Sequence, residues 1–279
     1  MMRRCWIGLG AGLLVWGAGL AQAACLNPEV RHVALIPKNA QSVQEQAQAP
    51  LLQALHESTG KPGQMLPVAS YAAVIESLLT GQAQVAELGP AGYALLAKRS
   101  TRFVPFATLS NSHEVGRYHS LLVVRADAGI RDIQGLRGRA LALTDPSSTS
   151  GAVVPELAVP QLTGYKLGHF FARVVFMGSH DKALAAVREG KAQAAFVASS
   201  QLDEADPAWR VLWRSPALVG SPFLLDATLC PALQHAVRQA FLAKQAQLQP
   251  WLRIKNYRQV VPVTAQDYAG IQSLLAGAP

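Results

Sequence analysis

Residues 70–86 read SYAAVIESLLTGQAQVA, and residues 179–195 read SHDKALAAVREGKAQAA. Each stretch opens on a serine, places a side chain with a polar ring next (Tyr71, His180), and meets a glycine ten residues later (Gly81, Gly190). Serine suits a helix N-cap and glycine a helix stop. The small apolar residues after each glycine read as the start of a strand. One helix–strand unit used twice implies two lobes built alike, with Tyr71 and His180 at corresponding helix starts on either side of a cleft.

The surrounding chain supports an α/β reading. Strands are expected at His32–Ile36, Met65–Val68 and Val85–Leu88, with a helix at Pro50–Ser58 and another at Tyr71–Leu79. A second set follows, with strands at Ser120–Val124, Ala140–Leu143 and Val174–Met177 and helices at Ala152–Leu162 and Asp181–Arg188. Such alternation predicts an α/β sheet with crossover helices. Pro155 is compatible with its helix because it falls near the first turn. Trp209, Trp213 and Trp251 read as packing residues.

The N-terminus is a different kind of segment. Arg3 and Arg4 precede an apolar run from Trp6 to Leu20, which ends at Ala21-Gln22-Ala23. That pattern predicts a secretory signal peptide over residues 1–23 and a periplasmic mature protein. The run is shorter than the ~20 residues a membrane anchor needs. Cys25 raises a lipoprotein alternative, but Gln22 departs from its usual leucine. Cleavage removes Cys5 and leaves Cys25 and Cys230, an even pair in an oxidising compartment and a possible disulfide. It also removes Arg3 and Arg4, which lowers the net charge from +8 to +6. The remaining Lys and Arg are scattered, whereas a nucleic-acid-binding protein clusters them among aromatics, so no nucleic acid is expected.

The chemistry concentrates in Thr144-Asp145-Pro146-Ser147-Ser148-Thr149-Ser150-Gly151, between an expected strand and an expected helix. Ordinary N-capping needs one hydroxyl. Three in succession, with the unpaired N–H groups and positive dipole end of a helix, suit a tetrahedral oxyanion held by neutral donors. At roughly 1.5–3 kcal/mol per hydrogen bond to a charged group, several reach the ~8 kcal/mol of a micromolar ligand.

The heptapeptide Asp145–Gly151 resembles the signature of periplasmic phosphonate-, phosphite- and phosphate-binding proteins of ABC transporters. Further blocks resemble that family in order: Tyr71 heading Ala72-Ala73-Val74-Ile75-Glu76, Gly89-Pro90 with Tyr93, Tyr118-His119-Ser120, and Phe176-Met177-Gly178-Ser179-His180-Asp181. The resemblance extends well from Val30 to Phe196 and weakly beyond. It implies a two-lobed periplasmic-binding-protein architecture, with residues 24–117 and 222–279 in the first lobe and 118–221 in the second. It also implies that Ser148, Thr149 and Ser150 hold phosphorus oxygens, that Tyr71 and Tyr118 reach in from the first lobe and hinge, and that His180 donates from the second. Tyr93 is a further candidate, or a wall of the pocket.

Relatives that bind aminoalkylphosphonates carry carboxylates on the second lobe. The corresponding stretches here, Val197-Ala198-Ser199-Ser200 and Val219-Gly220-Ser221-Pro222, hold none, while Asp203 and Asp226 are out of register. An amine-free ligand is therefore expected. The expected partners are a small oxyanion and an inner-membrane ABC permease, or alternatively a receptor kinase served by the same fold, with the protein acting as a monomer. A hydrolase is the weaker competitor, since Gly-x-Ser-x-Gly, His-Glu-x-x-His and Cys/His metal spacings are missing. No cofactor or metal is expected. A bound anion would be expected to draw a proton onto His180.

Overall fold

The computed structural model describes residues 25–37 and 47–276. The expected signal peptide lies outside the described residues. Two sheets and a two-stranded ribbon organise the molecule.

The first half alternates β1 (Arg31–Leu35), α1 (Ala49–Thr59), β2 (Gly63–Met65), α2 (Tyr71–Leu79), β3 (Val85–Glu87), α3 (Pro90–Arg99) and β4 (Phe103–Ser110). A ribbon strand, β5 (Arg117–Tyr118), then leads into β6 (Ser120–Arg125) and β7 (Ala140–Leu143). A wide helical turn over Thr149–Val153 opens α4 (Val154–Thr163), followed by α5 (Leu167–Phe170), β8 (Arg173–Phe176), α6 (His180–Arg188), β9 (Ala194–Ala198) and β10 (Trp209–Arg214). The chain returns through β11 (Leu218–Val219) and β12 (Phe223–Asp226), then α7 (Pro231–Leu242), α8 (Gln245–Ile254), β13 (Gln259–Pro262) and α9 (Ala269–Ala276).

The six-stranded sheet runs β13-β4-β12-β3-β1-β2, and the five-stranded sheet runs β10-β6-β9-β7-β8. In each, a parallel trio (β2-β1-β3, β8-β7-β9) meets an antiparallel strand that has crossed from the other half of the chain (β12, β6). Each sheet is covered on both faces, which is why β3 and β9 are buried along their whole length. Two apolar clusters flank the first sheet, one around Trp251, Phe223 and Phe241, the other around Tyr71, Val74 and Tyr268. Two more flank the second sheet. Ribbon strands β5 and β11 pair antiparallel where the chain passes between the two sheets.

The repeated unit is present at the level of backbone angles. Ser70 caps α2 at φ −152°, ψ 166°, and Ser179 stands before α6 at φ −151°, ψ 165°. Gly81 and Gly190 take φ of 76° and 74°, in the region where a side chain is strained. Beyond them the Gln84 side chain accepts the His32 N–H at 2.9 Å, and Gln193 accepts that of Ala140 at 3.0 Å. The two halves thus fasten helix to strand by the same device.

Two expected elements are displaced by more than one residue. The second strand is Gly63–Met65 rather than Met65–Val68, because Pro67 has no N–H to give a ladder. The expected helix at Ala152 begins instead with the wide turn, in which the Val153 N–H reaches back to Ser148 O at 3.0 Å. Trp251 is fully buried with its Nε1–H on Gln48 Oε1, and Trp213 meets Phe196 edge to face, as packing residues do. Cys25 and Cys230 form a disulfide with a Cα–Cα separation of 4.7 Å. Among the described residues, no helix is long and apolar enough to cross a membrane.

Candidate functional site

The turn after β7 is built from its own side chains. Asp145 Oδ1 accepts the Ser147 N–H at 2.8 Å, and Asp145 O accepts the Ser148 N–H at 2.8 Å, closing an Asx turn. Ser148 Oγ then accepts the Gly151 N–H at 3.2 Å, capping the wide turn. Gly151 crosses directly over Thr144: a Cβ there would lie 1.9 Å from Thr144 Oγ1, so only glycine fits. Ser120 donates its hydroxyl to Ser150 O at 2.6 Å, which holds the third residue of the triplet against β6. Thr149 Oγ1 reaches the other half of the molecule and accepts the Ala91 N–H at the start of α3, at 2.9 Å.

These bonds decide what the hydroxyls can do. A serine or threonine oxygen that accepts an N–H still carries its own proton, which must point elsewhere. Ser148 and Thr149 are both in that state, so each is preset as a donor. The Tyr71 phenol is hydrogen-bonded to Ser148, and the Tyr118 phenol to Thr149 and Ser150. Burial pushes both phenols well above the usual tyrosine range, only partly offset at Tyr71 by Ser148 and at Tyr118 by Thr149 and Ser150. Both phenols therefore stay protonated at neutral pH and can donate.

His180 is buried at the first position of α6, and its Nδ1 accepts the Ala198 N–H at 3.2 Å. A ring nitrogen that accepts carries no proton, so the ring is neutral with its proton on Nε2. Drawing a proton onto Nδ1 when an anion binds would require the ring to give up this bond to β9.

These groups surround one small cavity of about 20 Å³. Tyr71, Tyr118, Ser148, Thr149, Ser150 and His180 all line it, so the six strongest sequence candidates converge. Tyr93 does not line it. Its ring meets Tyr268 edge to face at 5.5 Å inside the apolar cluster beside the first sheet, two residues past Ala91, whose N–H faces Thr149.

The sequence reading missed Tyr257 and Gly89, which also line the cavity, although Ala198, Ser200 and Ser221 come from the two stretches singled out for lacking acids. Asn256, at φ 59°, turns the chain just before Tyr257, and an asparagine in that region was the available signal. Asp226 is held by Arg102 at 3.3 Å, and Asp203 caps Ala205, so neither reaches the cavity. The buried acid whose charge bears on Tyr71 and Tyr118 besides Asp145 is Glu87, at the end of β3 and outside the lining. None of the described lining residues is an acid, lysine or arginine. Among the described residues, no cluster of His, Cys, Asp or Glu could hold a metal.

Two matched sheets joined by a paired ribbon, with one cavity bridging them, define a two-lobed solute-binding protein. Residues 33–268 match the family described as the phosphonate, periplasmic substrate-binding protein of ABC transporters, and the chain belongs to that family. It is 26% identical over 272 residues to the phosphate-import protein PhnD of Mycolicibacterium smegmatis, covering 88% of this chain and 84% of that one. Two crystal structures share the fold. A binding component of an ABC phosphonate transporter from Pseudomonas aeruginosa has a TM-score of 0.80 at 20% identity, covering 89% of this chain and 86% of that one. PhnD1 from Prochlorococcus marinus, in complex with methylphosphonate, has a TM-score of 0.79 at 20% identity, covering 89% and 97%.

Proposed function

We propose that this protein captures a small, amine-free phosphorus oxyanion in the periplasm and hands it to an inner-membrane ABC permease. Candidates are phosphite, phosphate or a phosphonate with a neutral substituent, of which methylphosphonate is the ligand of one structural relative. The observation that carries this reading is the Ser148-Thr149-Ser150 turn, in which the Ser148 and Thr149 oxygens each accept a backbone N–H and keep their own protons for donation. Tyr71 and Tyr118 add phenol donors, and His180 adds Nε2–H. Six neutral side chains able to donate, around a cavity of this size, suit an ion of a few heavy atoms, whereas pockets for drug-sized molecules run to roughly 300–1,000 Å³.

On this reading the first lobe spans residues 24–117 and 222–279 and the second spans 118–221. Residues 1–23 are a signal peptide, and the mature protein works as a monomer without catalysis. No observation favours service to a receptor kinase over a permease.

The test is ligand choice. An ammonium group brought into this cavity finds no carboxylate among the described lining residues, which costs at least ~1.4 kcal/mol. Calorimetry should therefore give 2-aminoethylphosphonate an affinity at least about tenfold weaker than methylphosphonate. Equal or tighter binding of the amine would overturn the amine-free assignment and point to Glu87 as its counter-charge.

A further inference from the structure

Asp145 is an acid placed beside a site built for anions, and it is 6% exposed. Its negative charge opposes the ligand, so its presence needs a reason. One oxygen is spent inside its own loop, on Ser147. The other, Oδ2, accepts the Tyr71 N–H at 3.2 Å. Tyr71 belongs to α2 on the first sheet, and Asp145 follows β7 on the second. Tyr71 is the first residue of its helix, so its N–H has no acceptor within α2, and the cap residue Ser70 serves Ala73 instead. A carboxylate at a helix N-terminus is favoured by the dipole as well as by the hydrogen bond.

We propose that Asp145 is a closure latch: a second-lobe carboxylate that caps a first-lobe helix only when the lobes are together. The proposal rests on the binding function described above, and Asp145 is a positioning residue that does not touch the ligand. Thr149 makes the parallel contact to α3 through Ala91, so one loop seats on two helix starts. Because the latch favours closure whatever the ligand, it sets residence time and leaves selectivity alone.

Asp145→Asn isolates the latch. A side-chain amide has one oxygen, which can serve Ser147 or Tyr71 but not both. Amide hydrogen exchange followed by NMR on the ligand-free protein should show Tyr71 exchanging about fivefold faster or more in the variant. Ala73, capped within its own lobe by Ser70, should be unchanged. In stopped-flow measurements with methylphosphonate and with phosphite, the dissociation rate should rise about fivefold or more, with the association rate and the ratio of the two affinities held within about twofold.

Exchange at Tyr71 that is unaltered, or that rises equally at Tyr71 and Ala73, overturns the latch. So does a changed affinity ratio, which would mean that Asp145 acts on the ligand itself. A wild-type protein that binds neither anion would instead refute the binding function, and the exchange comparison would still decide the latch. Asp145→Ala, which removes both bonds, is the second variant and should exceed Asp145→Asn in the exchange rate at Tyr71.

Discussion

Replacing Thr149 with valine should weaken oxyanion binding by about 1–3 kcal/mol, or about 5- to 150-fold. The change keeps the shape of the side chain and removes one oxygen that does two things. It accepts the Ala91 N–H at 2.9 Å and, on the proposed function, gives its own proton to the ligand. Losing both acts on binding twice, because the ligand loses a donor and the closed arrangement loses a bridge. Thr149→Ser retains the oxygen and should recover most of the affinity, which separates chemistry from packing. Calorimetry on the three proteins decides the matter. Unchanged affinity in Thr149→Val would remove the turn from the site.

The second large effect concerns the fold. The Cys25–Cys230 bridge fastens the segment before β1 to the start of α7, where Leu26 N–H bonds to Thr228 O and Cys230 N–H to Leu26 O, both at 2.9 Å. It spans 205 residues of sequence, so it restricts nearly the whole unfolded chain. Cys230→Ser should lower unfolding stability by about 2–5 kcal/mol. Urea titration should show the wild-type protein losing that stability on addition of reductant, while the variant is indifferent to it. Two free thiols in the denatured mature protein without reductant would contradict the pairing.

The contrast between what the sequence revealed and what it concealed has a physical origin. The Ser70–Gly81 and Ser179–Gly190 units were legible because caps and stops are local. A serine before a helix and a glycine after it constrain φ and ψ within a dozen residues, and the two caps agree to within a degree. The hydroxyl triplet was legible for the same reason, since the turn that carries it is closed by its own residues.

What came from distant parts of the chain was not. Tyr257 reaches the cavity from beyond α8 and packs against the apolar cluster that contains Trp251 and Leu248. Tyr93 looked like a site residue because it follows Gly89-Pro90. The helix start does face Thr149 there, but through the Ala91 N–H, and two residues further on the Tyr93 side chain turns inward to Tyr268. The bond that orients the His180 ring was hidden too, because Ala198, whose N–H occupies Nδ1, lies eighteen residues away. Asp145 reads in sequence as one letter of a motif, and its bond to Tyr71, 74 residues away, appears only when the lobes are built.

The claim on which the rest depends is that a phosphorus oxyanion sits between the lobes on the Ser148-Thr149-Ser150 turn. A crystal structure of the mature protein grown with methylphosphonate tests it directly. The account predicts the phosphonate oxygens within about 2.5–3.2 Å of the triplet, of the Tyr71 and Tyr118 hydroxyls and of His180 Nε2, with Asp145 still on the Tyr71 N–H. A phosphonate bound elsewhere, or a cleft that holds the anion through lysine or arginine while the triplet stays turned to Ala91 and Gly151 alone, would contradict it.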